Sequence, residues 1–156
     1  DDRVATEAVF NRHCEALLLR QIGSARKEIL VAIYLLTRAP VADALIERAE
    51  RGISVHIKYD AAQAASTSAM SKQLTRLRKA GVVCTPIRFG DRAGQMHHKF
   101  VVIDGTRVLT GSYNFTLAAI TVNDENLVLI ESPTMAAAFA RTFEGIKSRS
   151  QKEKRR

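Results

Sequence analysis

"QMHHKFVVIDGTRVLTGSYN", residues 95–114, carries the densest pattern in the chain. Its middle, "KFVVID" (99–104), is an apolar, partly β-branched run that reads as a strand. Gly105-Thr106 reads as a tight turn and "RVLT" (107–110) as the partner strand, so a β-hairpin is predicted. Side chains along a strand alternate between faces. His97 and Lys99 therefore point one way and His98 the other, and Asp104 falls on the face opposite His97. If this strand feeds a site, it offers a His–Lys pair, with the aspartate acting elsewhere.

Upstream of the hairpin, strands and helices alternate. Val4–Phe10 reads as a short edge strand and residues 13–26 as a helix with Leu17, Leu18 and Ile22 inward. "EILVAIYLL" (28–36) suits a strand buried on both faces. Pro40 then stands in the first turn of a helix whose apolar face is Val41, Ala44, Leu45 and Ala49, and Gly52 ends it. "ISVHIKY" (53–59) is the next strand, followed by a polar Ala/Ser-rich connection, a helix over 70–80, Gly81 and a strand over Val82–Ile87. Crossovers of this length imply parallel neighbours. Downstream, "NLVLIES" (126–132) is a further strand, and Ser132 with Pro133 starts a helix with Ala136, Phe139, Ala140, Phe143 and Ile146 inward. The predicted fold is α/β: a mixed, largely parallel sheet with helices packed on its faces. One domain is expected over residues 1–147, with 148–156 as a basic tail read as disordered.

The bulk composition fits a globular domain, at 46% apolar and 26% charged residues. No apolar run approaches the roughly 18–20 residues of a membrane-spanning helix, so no stable membrane insertion is expected. Neither a signal peptide nor an initiating Met stands at the start, which fits a trimmed or processed chain. The compartment stays open between a bacterial cytoplasm and, where a signal peptide was removed, periplasm or secretion. Cys14 and Cys84 form no CxxC pair and read as two free core thiols. Of the net charge of +8, the last ten residues hold +5, from six basic residues and one acid. Such an arm suits attraction to a polyanion but is also an ordinary exposed terminus.

Four histidines occur, His13, His56, His97 and His98, and none belongs to an HExxH helix or a paired Cys/His set. Adjacent strand histidines diverge, so the doublet is a poor chelator. No metal and no cofactor are expected.

The stretch as a whole says more than its parts. His97-x-Lys99, four residues, Asp104, six residues, then Gly111-Ser112-Tyr113-Asn114, with Glu125 downstream, resembles the HKD signature HxK(x)4D(x)6GSxN of the phospholipase D superfamily. One such motif per chain and a glutamate after the asparagine are similar to the small bacterial Nuc-type endonucleases. "AIYLLT" and the helix ending "RG" add to the likeness, which spans about residues 4–147. A control stands within the chain: "HIK" at 56–58 is also HxK, but Gln63 takes the aspartate position and no GSxN follows.

The resemblance implies a phospholipase D-like nuclease domain over 1–147 with His97 as nucleophile, Lys99 and Asn114 as phosphate ligands, and support from Ser112 and Glu125. Asp104 and Gly111 become structural members of the motif. The residue types suit the chemistry. A neutral imidazole can attack phosphorus and split one hard step into two. Lys99 supplies fixed charge, Ser112 and Asn114 supply donors, and Glu125 can hold the far ring nitrogen of His97. One histidine cannot serve at once as attacking base and protonated acid. A two-fold homodimer that brings His97 from each subunit to one shared site would resolve this.

The expected function is a metal-independent phosphodiesterase or endonuclease that cleaves DNA, and RNA as a further substrate, through a phosphohistidine. Lys72, Arg76, Arg78, Lys79, Arg88 and Arg92 ahead of the motif suit a polyanion running past the site, and equally a solvated helix face. Two alternatives stand: phospholipid hydrolysis of the phospholipase D or cardiolipin type, and a non-catalytic nucleic-acid-binding module. The complete set His97, Lys99, Asn114 and Glu125 argues against the module. The low aromatic content and the lack of an amphipathic insertion argue against lipid.

Overall fold

The apolar run at 28–36 becomes the centre of the sheet. A computed structural model describes residues 3–90 and 93–150. In it, β2 (Glu28–Ile33) has every residue but Glu28 buried. The elements before it are β1 (Ala5–Phe10) and α1 (His13–Gly23). After it come α2 (Ala39–Glu50), β3 (Ser54–Asp60), α3 (Ala61–Ser66), α4 (Ser68–Lys79) and β4 (Val83–Ile87). The hairpin is β5 (Lys99–Ile103) and β6 (Arg107–Gly111), followed by α5 (Ala118–Thr121), β7 (Asn126–Glu131) and α6 (Pro133–Gly145). Ser132 caps α6 by accepting the Met135 N–H, as its position before Pro133 predicts.

All seven strands form one sheet in the order β1-β7-β6-β5-β2-β3-β4. The sheet is mixed with helices on its faces, as expected, but "largely parallel" needs correcting. Only β2–β3 and β3–β4 pair parallel, while β1–β7, β6–β7, β5–β6 and β2–β5 are antiparallel. Helical crossovers connect only the first strands. Beyond β4 the chain returns through a loop and a hairpin, which reverse its direction. Two further differences are local. The Ala/Ser-rich connection contains α3, because Asp60 accepts the Gln63 N–H at 3.0 Å and caps it. β2 stops at Ile33, and Leu36 makes only an isolated parallel bridge to Phe115.

Strand parity sorts the core. Ile29, Val31, Ile33, Val101 and Ile103 pack on one face with α1, α2 and α4, through Leu17, Leu18, Leu45 and Leu74. Leu30, Ala32, Phe100 and Val102 pack on the other face with Ala136 and Phe143 of α6. Each fully buried aliphatic side chain contributes about 1.5–3 kcal/mol, so both faces are strongly specified. Met96 belongs to the α6 face and His98 stacks edge-on to Phe100 at 5.3 Å, so the alternation runs through the doublet as read.

Asp104 lies at the far end of β5, about 20 Å from His97 at the usual strand rise. Its φ is +55°, and its carboxylate accepts the backbone N–H groups of Arg26, Lys27 (2.8 Å) and Glu28. It thus ties the start of β2 to the hairpin turn. Burial pushes this carboxyl up, but the three N–H donors and the Arg107 charge outweigh burial and hold it below 3.8. A depressed carboxylate stabilises fully above its unfolded value and loses that contribution as pH falls through the folded value. Asp104→Asn is expected to cost about 1–2 kcal/mol at pH 7, because it removes the charge and one oxygen of the acceptor that three backbone N–H groups share. Urea melts should show the gap to wild type narrowing below about pH 4.

Arg92 and residues 151–156, most of the basic tail, lie outside the described residues.

Candidate active site

The central strands bring His97, Lys99, Ser112 and Asn114 to one end of the sheet, where the parallel strands β2–β4 end and the antiparallel β5 begins. Lys99 is the first residue of β5, and His97 stands two residues before it. The Lys99 ammonium lies 3.2 Å from His97 Nδ1, 3.5 Å from Nε2, and 3.0 Å from the His97 carbonyl oxygen. Tyr34, just past the end of β2, supplies the floor. Its ring centroid is 4.7 Å from that of His97 and 5.4 Å from Lys99 Nζ, and its hydroxyl accepts from Gln95 Nε2 at 3.0 Å.

β6 delivers the second half. A Cβ on Gly111 would run into the carbonyl of Asn126, so only glycine lets β6 and β7 close at this point. Asn114 Oδ1 accepts the Leu35 N–H at 3.1 Å, which leaves its Nδ2 to donate to a ligand. That bond explains why β2 stops early: Tyr34 and Leu35 leave the ladder to serve the site. Ser112 Oγ donates to the Glu125 carboxylate and accepts the Asn126 N–H at 3.0 Å.

Glu125 therefore sits beside Ser112 and Asn123 (3.4 Å), and among the described residues no hydrogen bond joins it to His97. Its charge reaches Lys99 instead. Burial lowers the Lys99 ammonium from its usual 10.5, and Glu125 partly opposes that.

Three positioning residues were not legible in the motif. Asp60, 2% exposed, accepts the Met96 N–H at 2.8 Å and so fixes the chain one residue before His97. Asn11, with φ +54°, accepts the Glu125 N–H at 2.8 Å and donates its own N–H to the Glu125 carbonyl. Tyr34 is the third. Asn11 in a left-handed turn, directly after a strand, is the one signal the sequence could have offered.

The predicted basic set divides. Lys72 and Lys79 are exposed on α4, and Arg88 is exposed after β4. Arg76 is engaged by Asp43 and Gln73, and Arg78 donates to the Tyr59 hydroxyl at 2.6 Å while its guanidinium lies 5.7 Å from the ring centroid. Arg78 and Arg88 line one cleft; Arg88 and Phe89 line a second, of 330 Å³; a third, sharing Phe89, reaches His97. The "HIK" control is structural: His56 Nε2 meets Thr85 Oγ1 at 2.9 Å, and Lys58 is buried against α6. Among the described residues no three His, Cys, Asp or Glu side chains cluster to hold a metal ion, and no helix is long and apolar enough to cross a membrane.

The family described as "cardiolipin synthase, PLD-like domain" matches residues 18–147. The chain belongs to the phospholipase D-like family. Members of that family are phosphodiesterases. This phospholipase D-like chain is 33% identical over 139 residues to the mitochondrial cardiolipin hydrolase of Xenopus laevis, which covers 89% of it and 61% of the relative. It is 30% identical over 138 residues to a phospholipase D of Rickettsia bellii, covering 88% and 65%. It thus spans about three-fifths of the length of these curated relatives. Among solved structures, the phospholipase D family member Nuc from Salmonella typhimurium superposes with a TM-score of 0.83 at 26% identity, covering 92% of this chain and 94% of that one. NucT from Helicobacter pylori shares the fold, with a TM-score of 0.84 at 23% identity and coverage of 92% and 96%.

Proposed function

We propose that this phospholipase D-like chain is a metal-independent phosphodiesterase that cleaves nucleic acid, DNA first and RNA as a further substrate, through a phosphohistidine. The observation that carries this is the placement of His97, Lys99, Asn114 and Ser112 at one end of the central strands. Lys99 Nζ and Asn114 Nδ2 can donate to the non-bridging oxygens of a phosphodiester, in the manner of an oxyanion hole. His97 then attacks phosphorus, the P–O bond to one sugar breaks, and that oxygen takes a proton. Water next attacks the phosphohistidine and regenerates the imidazole. With the charge met by these groups, the step needs no metal ion.

The proton comes from His97 of a second subunit, so the active form is a two-fold homodimer with one shared site. Exposed apolar side chains fit such a contact. Phe10 and Val122 (80% exposed) flank one groove beside Asn123, and Leu117 is exposed just before α5. Nucleic acid is favoured over lipid by the run of clefts from His97 to Arg88 and Arg78, whose cations suit a polyanion. Phospholipid hydrolysis is the second reading, favoured by the relatives that are cardiolipin hydrolases.

The test is turnover of single- and double-stranded DNA, RNA and cardiolipin vesicles in excess EDTA, with the oligomeric state followed by light scattering. Nucleic-acid cleavage undiminished by EDTA, from a dimer, is the expected result. Lipid turnover alone would install the second reading, and binding without turnover would make the chain a nucleic-acid-binding module. Loss of cleavage in EDTA, or a fully active monomer, would overturn the mechanism.

A further inference from the structure

The chain beyond α6 is anchored at two points, and a merely solvated terminus needs neither. The first anchor is Lys58 on β3, 7% exposed, which donates to the carbonyl oxygens of Phe143 (2.7 Å) and Ile146 (2.9 Å). A buried ammonium there satisfies carbonyls that the helix end leaves open, and it complements the negative end of the helix dipole. The second is β4's continuation: the Arg88 N–H donates to Ser148 Oγ at 3.0 Å, and the Arg149 N–H donates to the Arg88 carbonyl at 2.7 Å. Arg149 is thereby held with its guanidinium 5.3 Å from the Phe89 ring centroid.

Ile146, Lys147 and Arg149 line a cleft of about 230 Å³ together with Ile87, Phe89 and the stretch Gln95–His98. Its lining includes the cations Lys147 and Arg149 and the Phe89 ring, and among the described residues no carboxylate lines it. His97 is itself among the lining residues, so the cleft adjoins the imidazole that the proposed reaction uses. His98, stacked on Phe100 on the sheet's α6 side, lines this cleft, while Lys99 turns to His97.

We propose that this cleft is a second anion subsite, which takes the phosphodiester next along a polynucleotide strand from the one at His97. Arg149 and Lys147 are its cations, and the guanidinium stacked on Phe89 presents a flat, fixed donor pair, the arrangement that suits phosphate. The inference rests on the reading of the site as a phosphodiesterase that acts on nucleic acid. It makes the number of phosphates in the substrate a determinant of affinity.

Three substrates test it: bis(4-nitrophenyl) phosphate and a dinucleotide, each with one phosphodiester, and a trinucleotide with two. The wild-type dimer should favour the trinucleotide by about tenfold in kcat/KM, beyond the roughly twofold due to its two bonds, since one charged hydrogen-bonded contact has that effect. Arg149→Ala should abolish the preference through KM and leave both one-phosphate substrates within about twofold. Arg149→Lys should restore part of it. On longer single strands the salt slope of log K should fall by about 0.7. If Arg149→Ala slows all three substrates alike with an unchanged melting point, or leaves the trinucleotide preference intact, the subsite is wrong while the phosphodiesterase reading stands. If bis(4-nitrophenyl) phosphate is cleaved but neither oligonucleotide is, the nucleic-acid reading fails and the subsite with it.

Discussion

His97→Ala is expected to lower phosphodiester turnover by at least about 10⁴-fold, the scale seen when a nucleophile in a mutually dependent set is removed. The melting point should not move, because His97 is exposed and its ring lies against Tyr34 and Lys99 at the surface. If the site is shared across a dimer as proposed, the same change also removes the general acid, so one substitution deletes both roles. A mixed dimer with one wild-type and one His97→Ala subunit should therefore turn over about as slowly as the dimer in which both subunits carry the change. His98→Ala should keep turnover of one-phosphate substrates within a few-fold, since His98 stacks on Phe100 on the opposite face. Equal losses at 97 and 98 would refute the face assignment.

Lys99→Met should be the next most severe change, at about 10²–10³-fold in kcat, comparable to deleting one oxyanion-hole donor. Methionine keeps much of the stem that covers Tyr34, so the loss measures charge and donation. Lysine carries its charge below its pKa. Burial lowers that pKa from 10.5, with Glu125 in partial opposition, so wild-type activity should fall on the alkaline side at a midpoint below 10.5. Glu125→Gln removes the opposition and should move that limb to still lower pH. A kcat–pH profile of both variants beside wild type checks the sign: a limb that moves upward would contradict the electrostatic link between Glu125 and Lys99.

How much of this could be read from the sequence depended on distance along the chain. The motif is a local pattern on one hairpin, where period-2 alternation and a fixed turn set the geometry. His97, Lys99 and Asn114 could be placed from spacing, and the division of His97 from His98 followed from the pleat. Asp60 reaches Met96 across 36 residues, and Asn11 reaches Glu125 across 114. Neither lies in a stretch whose composition signals a site, and both act through backbone N–H groups that no side-chain pattern marks. The parallel share of the sheet was overread because crossover helices announce themselves by periodicity, whereas the return from β4 to β5 is a loop with none. α3 was hidden for a related reason: six residues of Ala, Gln and Ser have little amphipathic period, and what starts the helix is the Asp60 cap.

Asn11 ends the outermost strand of the sheet. β1 has a partner on one side only, and five of its six residues are exposed. Such a strand opens locally at a free energy well below that of global unfolding. Each opening frees Asn11 from the Glu125 backbone and loosens the carboxylate that supports Lys99. The competence of Lys99 in the proposed reaction is thus tied to the fraying of an edge strand, and turnover would be lost on warming while most amide protons were still protected from exchange.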